Sequence, residues 1–520
     1  VPRGWDWRPT YADCESSVEE IGGMMFLGYS QSGLHEQKPP PLCDELIEFR
    51  KEHDYSVPTT HRYMTINKQY LRNDNVKWHN LRVFAPDINH WKVTCAAFRQ
   101  EWEGFYAGCK PLTLEDAVQR AEKDSSAGFK WKKLRGCPKK RDVFEKNMDL
   151  LVEELEAISR GEDVSMVWEL GPKCEMRPID KFTNPNPEKR KQRTFMISDT
   201  THYIVGLMLY AEQNDAMLSL WNRSDSWSAA GMNPFYGGWN QLASLLTAKG
   251  DNFRCWDVEA MEASVHLRIQ EQLYAARNFE YEHDVCAHRF NLKNLARWYF
   301  KVLTCAPLVD LDGKVWVRVG MNPSGQYNTL ADNIHALHMV FMYHLSFSEK
   351  CVGPGSLVQL RRELIVKMMG DDSIVSDHPI WEGVLQRSLE LGFNITEEIE
   401  GVVPINRSKF CGFGWHWYDG MYIYRADADR TICSILYNMK LGSWRYLFVK
   451  LCAAKILLFG APQFHEVTAM IAWVRKHKYD EMVSEVQHDV DLPLHSVLSQ
   501  EKNFATIAQL VVGQESKLSL

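Results

Sequence analysis

Residues 364–375 constrain this chain most. Mainly apolar positions run from Leu364 to Met369, followed by Gly370, Asp371 and Asp372, then Ser373, Ile374 and Val375. Two apolar runs divided by a glycine-led turn predict a strand, a tight turn and a second strand, with two carboxylates at the hairpin tip. Anionic groups held that close repel each other, and a divalent cation relieves the repulsion. An isolated Gly-Asp-Asp is also a good turn sequence, so the pair alone decides nothing. Asp257 changes the balance, because the run Phe253, Arg254, Cys255 and Trp256 predicts another strand that ends in a carboxylate. Two adjacent strands would then present Asp257, Asp371 and Asp372 to one pair of metal ions, an arrangement suited to phosphoryl or nucleotidyl transfer.

A substrate for such chemistry is a polyanion and needs cations around it. The formal net charge is −7, so no global positive field supplies them. Local runs do. Between Lys173 and Arg193 stand Lys173, Arg177, Lys181, Lys189, Arg190, Lys191 and Arg193 against Glu175, Asp180 and Glu188. Residues 130–141 carry Lys130, Lys132, Lys133, Arg135, Lys139, Lys140 and Arg141 with no acid among them. Each run alone reads as a solvated face. Together, beside a candidate metal site, they predict a track for a nucleic-acid backbone.

At 520 residues the chain exceeds one small core and should divide into two or three domains or several interwoven subdomains. Its 13 cysteines contain no C-x-x-C pair and fit reduced, buried thiols rather than a disulfide framework or a zinc site. No window approaches the roughly 18 apolar residues of a membrane span, and no secretory leader is visible. A first residue of Val1 suggests cleavage from a longer precursor or an edited sequence. Phe144, Met148, Leu151, Leu155 and Ile158 predict one amphipathic helix, with Gly161 as its C-terminal cap. Leu330, Ile334, Leu337 and Phe341 predict another over 326–347, with Thr329 and Asn333 looking out from a second stripe. Residues 432–520 read as mainly helical.

From about 125 to 412 the residues resemble the RNA-directed RNA polymerases of positive-strand RNA viruses. Asp257, followed five positions later by Glu262 and then Ala263 and Ser264, is similar to motif A. Pro323, Ser324 and Gly325 with Thr329 and Asn333 have motif B spacing; Met369 to Asp372 resembles motif C, and Phe410, Cys411 and Gly412 resemble motif E. Lys173 to Arg177 with Lys191 to Arg193 is similar to motif F, and Ser125 to Phe129 ahead of Lys139 to Asp142 is similar to motif G. The pattern is closest to the picornavirus-like supergroup, and Phe235 to Trp239 resembles potyvirus and astrovirus enzymes.

The resemblance implies an α+β closed right hand. Residues 1–250 would form an N-terminal extension and fingers with fingertips, including part of the palm near 195–230. Residues 251–412 would form a palm with an antiparallel sheet carrying the metal site and an inserted fingers segment near 275–312, and 413–520 a thumb. It further implies that Asp257, Asp371 and Asp372 hold Mg²⁺ or Mn²⁺. Arg193 would meet the triphosphate, Lys173, Arg177 and Lys181 would line the nucleotide entry channel, and Glu262, Ser324, Thr329 and Asn333 would read the ribose. RNA would be contacted by Ser125, Ser126, Gly128, Lys139, Lys140, Arg141, Gly325, Phe410, Cys411 and Gly412. Implied partners are RNA template and primer or product, NTPs and other viral replication proteins, in host cytoplasm at membrane-associated replication complexes.

Two departures from the family pattern stand out. The second motif A acid is usually Asp but here is Glu262, one methylene longer. The motif D lysine is missing: Thr396, Glu397, Glu398, Ile399 and Glu400 occupy its place, and the nearest cations are Arg407 and Lys409. Lys409 is either a surface or primer-contacting residue or a proton donor to the departing pyrophosphate. The competing readings are a reverse transcriptase, which lacks the motif B pattern and usually carries a bulky gate at position 262, and a non-catalytic RNA-binding scaffold.

Overall fold

A computed structural model describes residues 23–29, 37–38, 40, 42–79, 82–282, 288–437, 443–485 and 493–513. Val1 and Cys14 lie outside the described residues, as does Cys286. The architecture is α+β, and no described helix is long and apolar enough to cross a membrane. The described cysteines form no disulfide with one another.

The centre is a four-stranded antiparallel sheet in the order Ile395–Pro404, Asn252–Val258, Asp372–Ser376, Val366–Met369. Both faces are covered, so the sheet carries apolar residues on each. Phe253, Cys255 and Ile374 join one core with Trp239, Phe410 and Trp415. Trp256, Val258 and Val375 join another, built on the helix Thr329–Leu345. That helix is buried from Ala331 through Leu345. Packing Ile334, Leu337 and Phe341 there contributes roughly 1.5–3 kcal/mol per side chain. Leu330, expected on the same apolar stripe, is instead 41% exposed, because it lies on the first turn before the helix enters the core.

Beside this helix runs Ile88–Tyr106, started by Asp87, whose carboxylate accepts from the amides of Asn89 and His90. The Tyr106 hydroxyl meets His335 Nε2 at 2.8 Å. A mixed five-stranded sheet, Gly23–Tyr29, Lys314–Val319, Pro307–Val309, Trp168–Pro172 and Thr194–Ile197, has one parallel pairing, between Trp168–Pro172 and Pro307–Val309. It shares a core with the helices Thr200–Leu218 and Leu292–Thr304.

Residues 43–64 meet the helices that follow residue 427. His61–Met64 pairs with Glu175–Pro178, and the helix Ala428–Leu436 lies against both strands. The amide of Cys43 donates to Leu436 O at 2.8 Å, and Leu46 and Phe49 are buried among Ile432, Leu447, Phe448 and Val467. The C-terminal part is helical as expected, with Trp444–Leu457 and Gln463–His477 its longest elements.

Phe235 to Trp239 receives the last described helix, Phe504–Val512. The amides of Tyr236 and Gly237 donate to Leu510 O and Val511 O. A Cβ on Gly238 would stand 1.9 Å from Asn233 O, which explains a glycine there. The single helix expected around 144–158 is two, Lys140–Lys146 and Met148–Ser159. Asn147, at φ −139°, breaks it and turns its side-chain amide to Cys137 Sγ.

Candidate active site at the sheet edge

The expected hairpin forms between Val366–Met369 and Asp372–Ser376, with Met369 paired to Asp372. Gly370 takes φ 69°, a conformation that costs a residue with a side chain more. Ser373 pairs with Trp256, so continuing the antiparallel register sets Asp372 opposite Asp257. Strand order therefore brings together carboxylates more than a hundred residues apart in sequence.

Their electrostatics follow from crowding. Burial, then repulsion from Asp371, pushes the Asp257 carboxyl up to about 6. Burial, then Asp371 and Asp257, pushes Asp372 up to about 7. Such a group gains by binding a cation. Among the described residues no three His, Cys, Asp or Glu side chains close into a ligand cage. The hard oxygen donors nevertheless fit Mg²⁺, which keeps several waters and takes only one or two protein carboxylates along with substrate phosphates.

Cations face these carboxylates through one acid, Glu175, which local sequence marks only as a charge. Glu175 gathers Lys173 Nζ at 3.8 Å, Arg177 Nη1 at 3.6 Å and Arg193 Nη1 at 3.8 Å. Arg193 also favours the ionised forms of Asp257, Asp372 and Glu262. Lys181 stands apart from this cluster and pairs with Asp180 at 3.2 Å.

Glu262 lies between the cationic cluster and Ser324. Burial raises its carboxyl, whereas Lys77, Ser324, Arg193 and Lys173 favour its charge. Lys77, on the helix Lys68–His79, was not predicted; nothing in its local sequence marks it. Asn333 is 7% exposed and does not look out to solvent; its Oδ1 accepts from Asn322 Nδ2 at 2.6 Å. Asn322 in turn accepts from Gln326, which also donates to Asp332, the partner of buried Arg277 at 2.8 Å. The Thr329 hydroxyl donates to Pro323 O and Gln326 O, so it closes the loop before its helix. Gly325 approaches the strand Thr194–Ile197 so closely that a Cβ would stand 2.0 Å from Met196 O.

The basic run at 130–141 is less of a track than its composition suggested. Lys130 is tied to Glu154 at 2.7 Å and Lys132 to Glu169 at 2.6 Å. Lys140 is 5% exposed, bonded to Ser125 Oγ and set 4.2 Å from the Tyr203 ring centroid; burial brings its ammonium down to about 8. Lys133, Arg135, Lys139 and Arg141 are exposed, with Arg141 3.0 Å from Asp124. The Ser126 hydroxyl accepts from the Gly128 amide, and Gly128 at φ 87° lies against the backbone of Ser198 and Asp199.

At motif E, Cys411 and Gly412 both take positive φ, as a tight hairpin turn closed by Phe410 and Phe413 demands. Phe410 is 1% exposed and belongs to the core, not to a surface. Cys411 faces the carboxylates: burial, then Asp372, Asp371 and Glu398, drives its thiol far up. Lys409 is exposed, and its amide donates to Cys255 Sγ at 3.4 Å.

Residues 57–398 match a protein-family model described as viral RNA-dependent RNA polymerase. Similar chains are genome polyproteins. That of Peanut mottle virus (strain M) is 26% identical over 321 residues, covering 60% of this chain and 10% of the polyprotein. That of Beet mosaic virus is 24% identical over 482 residues, 88% of this chain and 15% of the polyprotein. That of Soybean mosaic virus (strain N) is 27% identical over 350 residues, 66% and 11%. The chain thus spans a small fraction of the length of these relatives.

Proposed function

The chain belongs to the viral RNA-dependent RNA polymerase family, and on that premise we propose that it extends an RNA 3′-hydroxyl with NTPs on an RNA template, replicating a viral genome. The observation that carries this reading is the register that sets Asp372 against Asp257, beside Arg193 and its neighbours around Glu175. Asp257 and Asp371 would hold Mg²⁺ or Mn²⁺, with Asp372 beside them, and a divalent cation held there would supply Lewis-acid activation of the attacking hydroxyl and neutralisation of charge on the leaving oxygens. Arg193, Lys173 and Arg177 orient the triphosphate, a bidentate guanidinium being suited to phosphate. Asn333, fixed by Asn322, and Glu262 hold the sugar.

In this reading the central sheet is the palm, the contacts of His61–Met64 and Glu175–Pro178 with Ala428–Leu436 are fingertips closing on a thumb, and the domain boundaries lie near 250 and 412. Exposed Lys139 and Arg141 meet the template backbone, and the protein acts in host cytoplasm.

Primer extension on an RNA template, with and without Mg²⁺, tests the proposal. Asp257→Asn and Asp371→Asn should each lose nucleotide addition while keeping RNA affinity, because losing a metal-binding carboxylate costs several kcal/mol of transition-state stabilisation. Extension by either variant at more than a few per cent of wild type, a margin of about 2 kcal/mol, would sink the site.

A further inference from the structure

The segment that replaces the missing motif D lysine holds three acids, and the strand geometry separates them. Thr396 pairs with Asp257, Glu397 with Trp256 and Ile399 with Cys255, so Glu398 is an extra residue in the ladder. A bulge of this kind re-aims a side chain. Glu397 is committed elsewhere: it accepts from the Gly401 amide at 3.0 Å and lies 4.0 Å from Arg254. Glu398 instead acts on Asp257, Asp372 and Cys411, the groups gathered at the candidate metal centre. Among the described residues the one cation that acts on it is Lys409, whose backbone is tied to Cys255 on the neighbouring strand.

A carboxylate that faces a metal centre without joining the ligand set accepts hydrogen bonds from the ion's bound waters and raises the negative potential there. We propose that Glu398 is a positioning acid of the metal centre, setting its affinity for the divalent cation, with Lys409 tempering that charge. The proposal rests on the polymerase reading above. It assigns a role to a residue at a place where the family pattern has a cation.

The test is Mn²⁺ titration of the full chain without RNA or NTP, with free Mn²⁺ read by electron paramagnetic resonance. Glu398→Gln should weaken Mn²⁺ binding by roughly tenfold or more, the usual cost of losing an outer partner of a metal site. Glu398→Asp should restore part of the affinity, Lys409→Met should tighten it, and Glu397→Gln should leave it unchanged. Unaltered Mn²⁺ affinity in Glu398→Gln, or equal weakening in Glu397→Gln, would overturn the assignment. Both glutamates are at the sheet edge, and Lys409→Met reads the same field from the opposite sign, so a folding defect in one variant does not remove the test. Primer extension by the wild-type chain is scored separately: its absence sinks the polymerase reading, whereas an unshifted Glu398→Gln titration sinks only the role of Glu398.

Discussion

Asn333 shows how neighbours fix a single polar side chain in place. Its Oδ1 is held by Asn322, and Asn322 by Gln326, so the amide is fixed before any nucleotide arrives. A preset polar group discriminates strongly between ligands with and without a matching hydroxyl, since the wrong ligand leaves it unpaired. Asn333→Ala should therefore narrow the preference for NTP over dNTP by about 1–3 kcal/mol. Paired incorporation assays with ribo- and deoxyribonucleotides measure it. Equal losses with both substrates would mean that Asn333 only supports the loop. Position 262 belongs to the same network, and the longer glutamate is matched there by Lys77, Lys173 and Arg193.

Among the elements, the motif C hairpin depends on what lies beneath it. Lys367, 1% exposed, points its ammonium at the carbonyls of Trp221, Arg223 and Ser226, each at 2.8 Å. Three donors meet three acceptors, which is how a buried cation is tolerated. Lys367→Met keeps the apolar stem but strands the carbonyls, and should cost on the order of 3 kcal/mol of stability. Hydrogen exchange should quicken first over Trp221 to Ser226; uniform protection there would refute the anchoring role. The motif B loop has a steric counterpart. Gly325→Ala places a methyl group 2.0 Å from Met196 O, a backbone atom that cannot swing aside. The loop or the strand must shift, at a cost of about 1–3 kcal/mol. A lowered melting temperature with a reduced extension rate is expected, and an unchanged one would show that the loop has room to spare.

Across the whole molecule, interlocked cores bury ionisable groups whose titration opposes folding in acid. His202 is fully buried, stacked on Tyr299 with centroids 4.0 Å apart, and burial brings its imidazole down to about 3. His338 is likewise brought to about 3 and His266 to about 4. Unfolded, each takes a proton below its usual 6.5 or so. Their contribution is thus complete above that pH and is lost as pH falls toward the folded values. Asp199 has the opposite sign: burial raises its carboxyl to about 6, so its contribution fades as pH rises from 3.8 to that value. At pH 5 the His202→Phe variant should take up about one proton fewer on unfolding, flattening the pH dependence of stability by roughly 1.4 kcal/mol per unit. Denaturant titrations at several pH values read that slope, and identical slopes would place His202 in contact with water.

The chemistry-bearing groups were legible in the sequence wherever local backbone geometry dictates residue type. The turn at Gly370, the strand before Asp257 and the helix over Thr329 to Leu345 follow from periodicity and turn preference, which act over a few residues, whereas the order of the motifs is legible only through the family resemblance. Charge was not legible in the same way. Lys139 and Lys140 are adjacent and chemically identical, yet one is exposed and the other lies under Tyr203. Glu397 and Glu398 part ways at a bulge that no spacing announces. Glu175 and Lys77 matter because of cations and carboxylates brought in from distant segments. A side chain's partners and burial are set by the packing of elements far apart in the chain, so only the tertiary structure decided which of the many charges meet at the sheet edge and which serve the core.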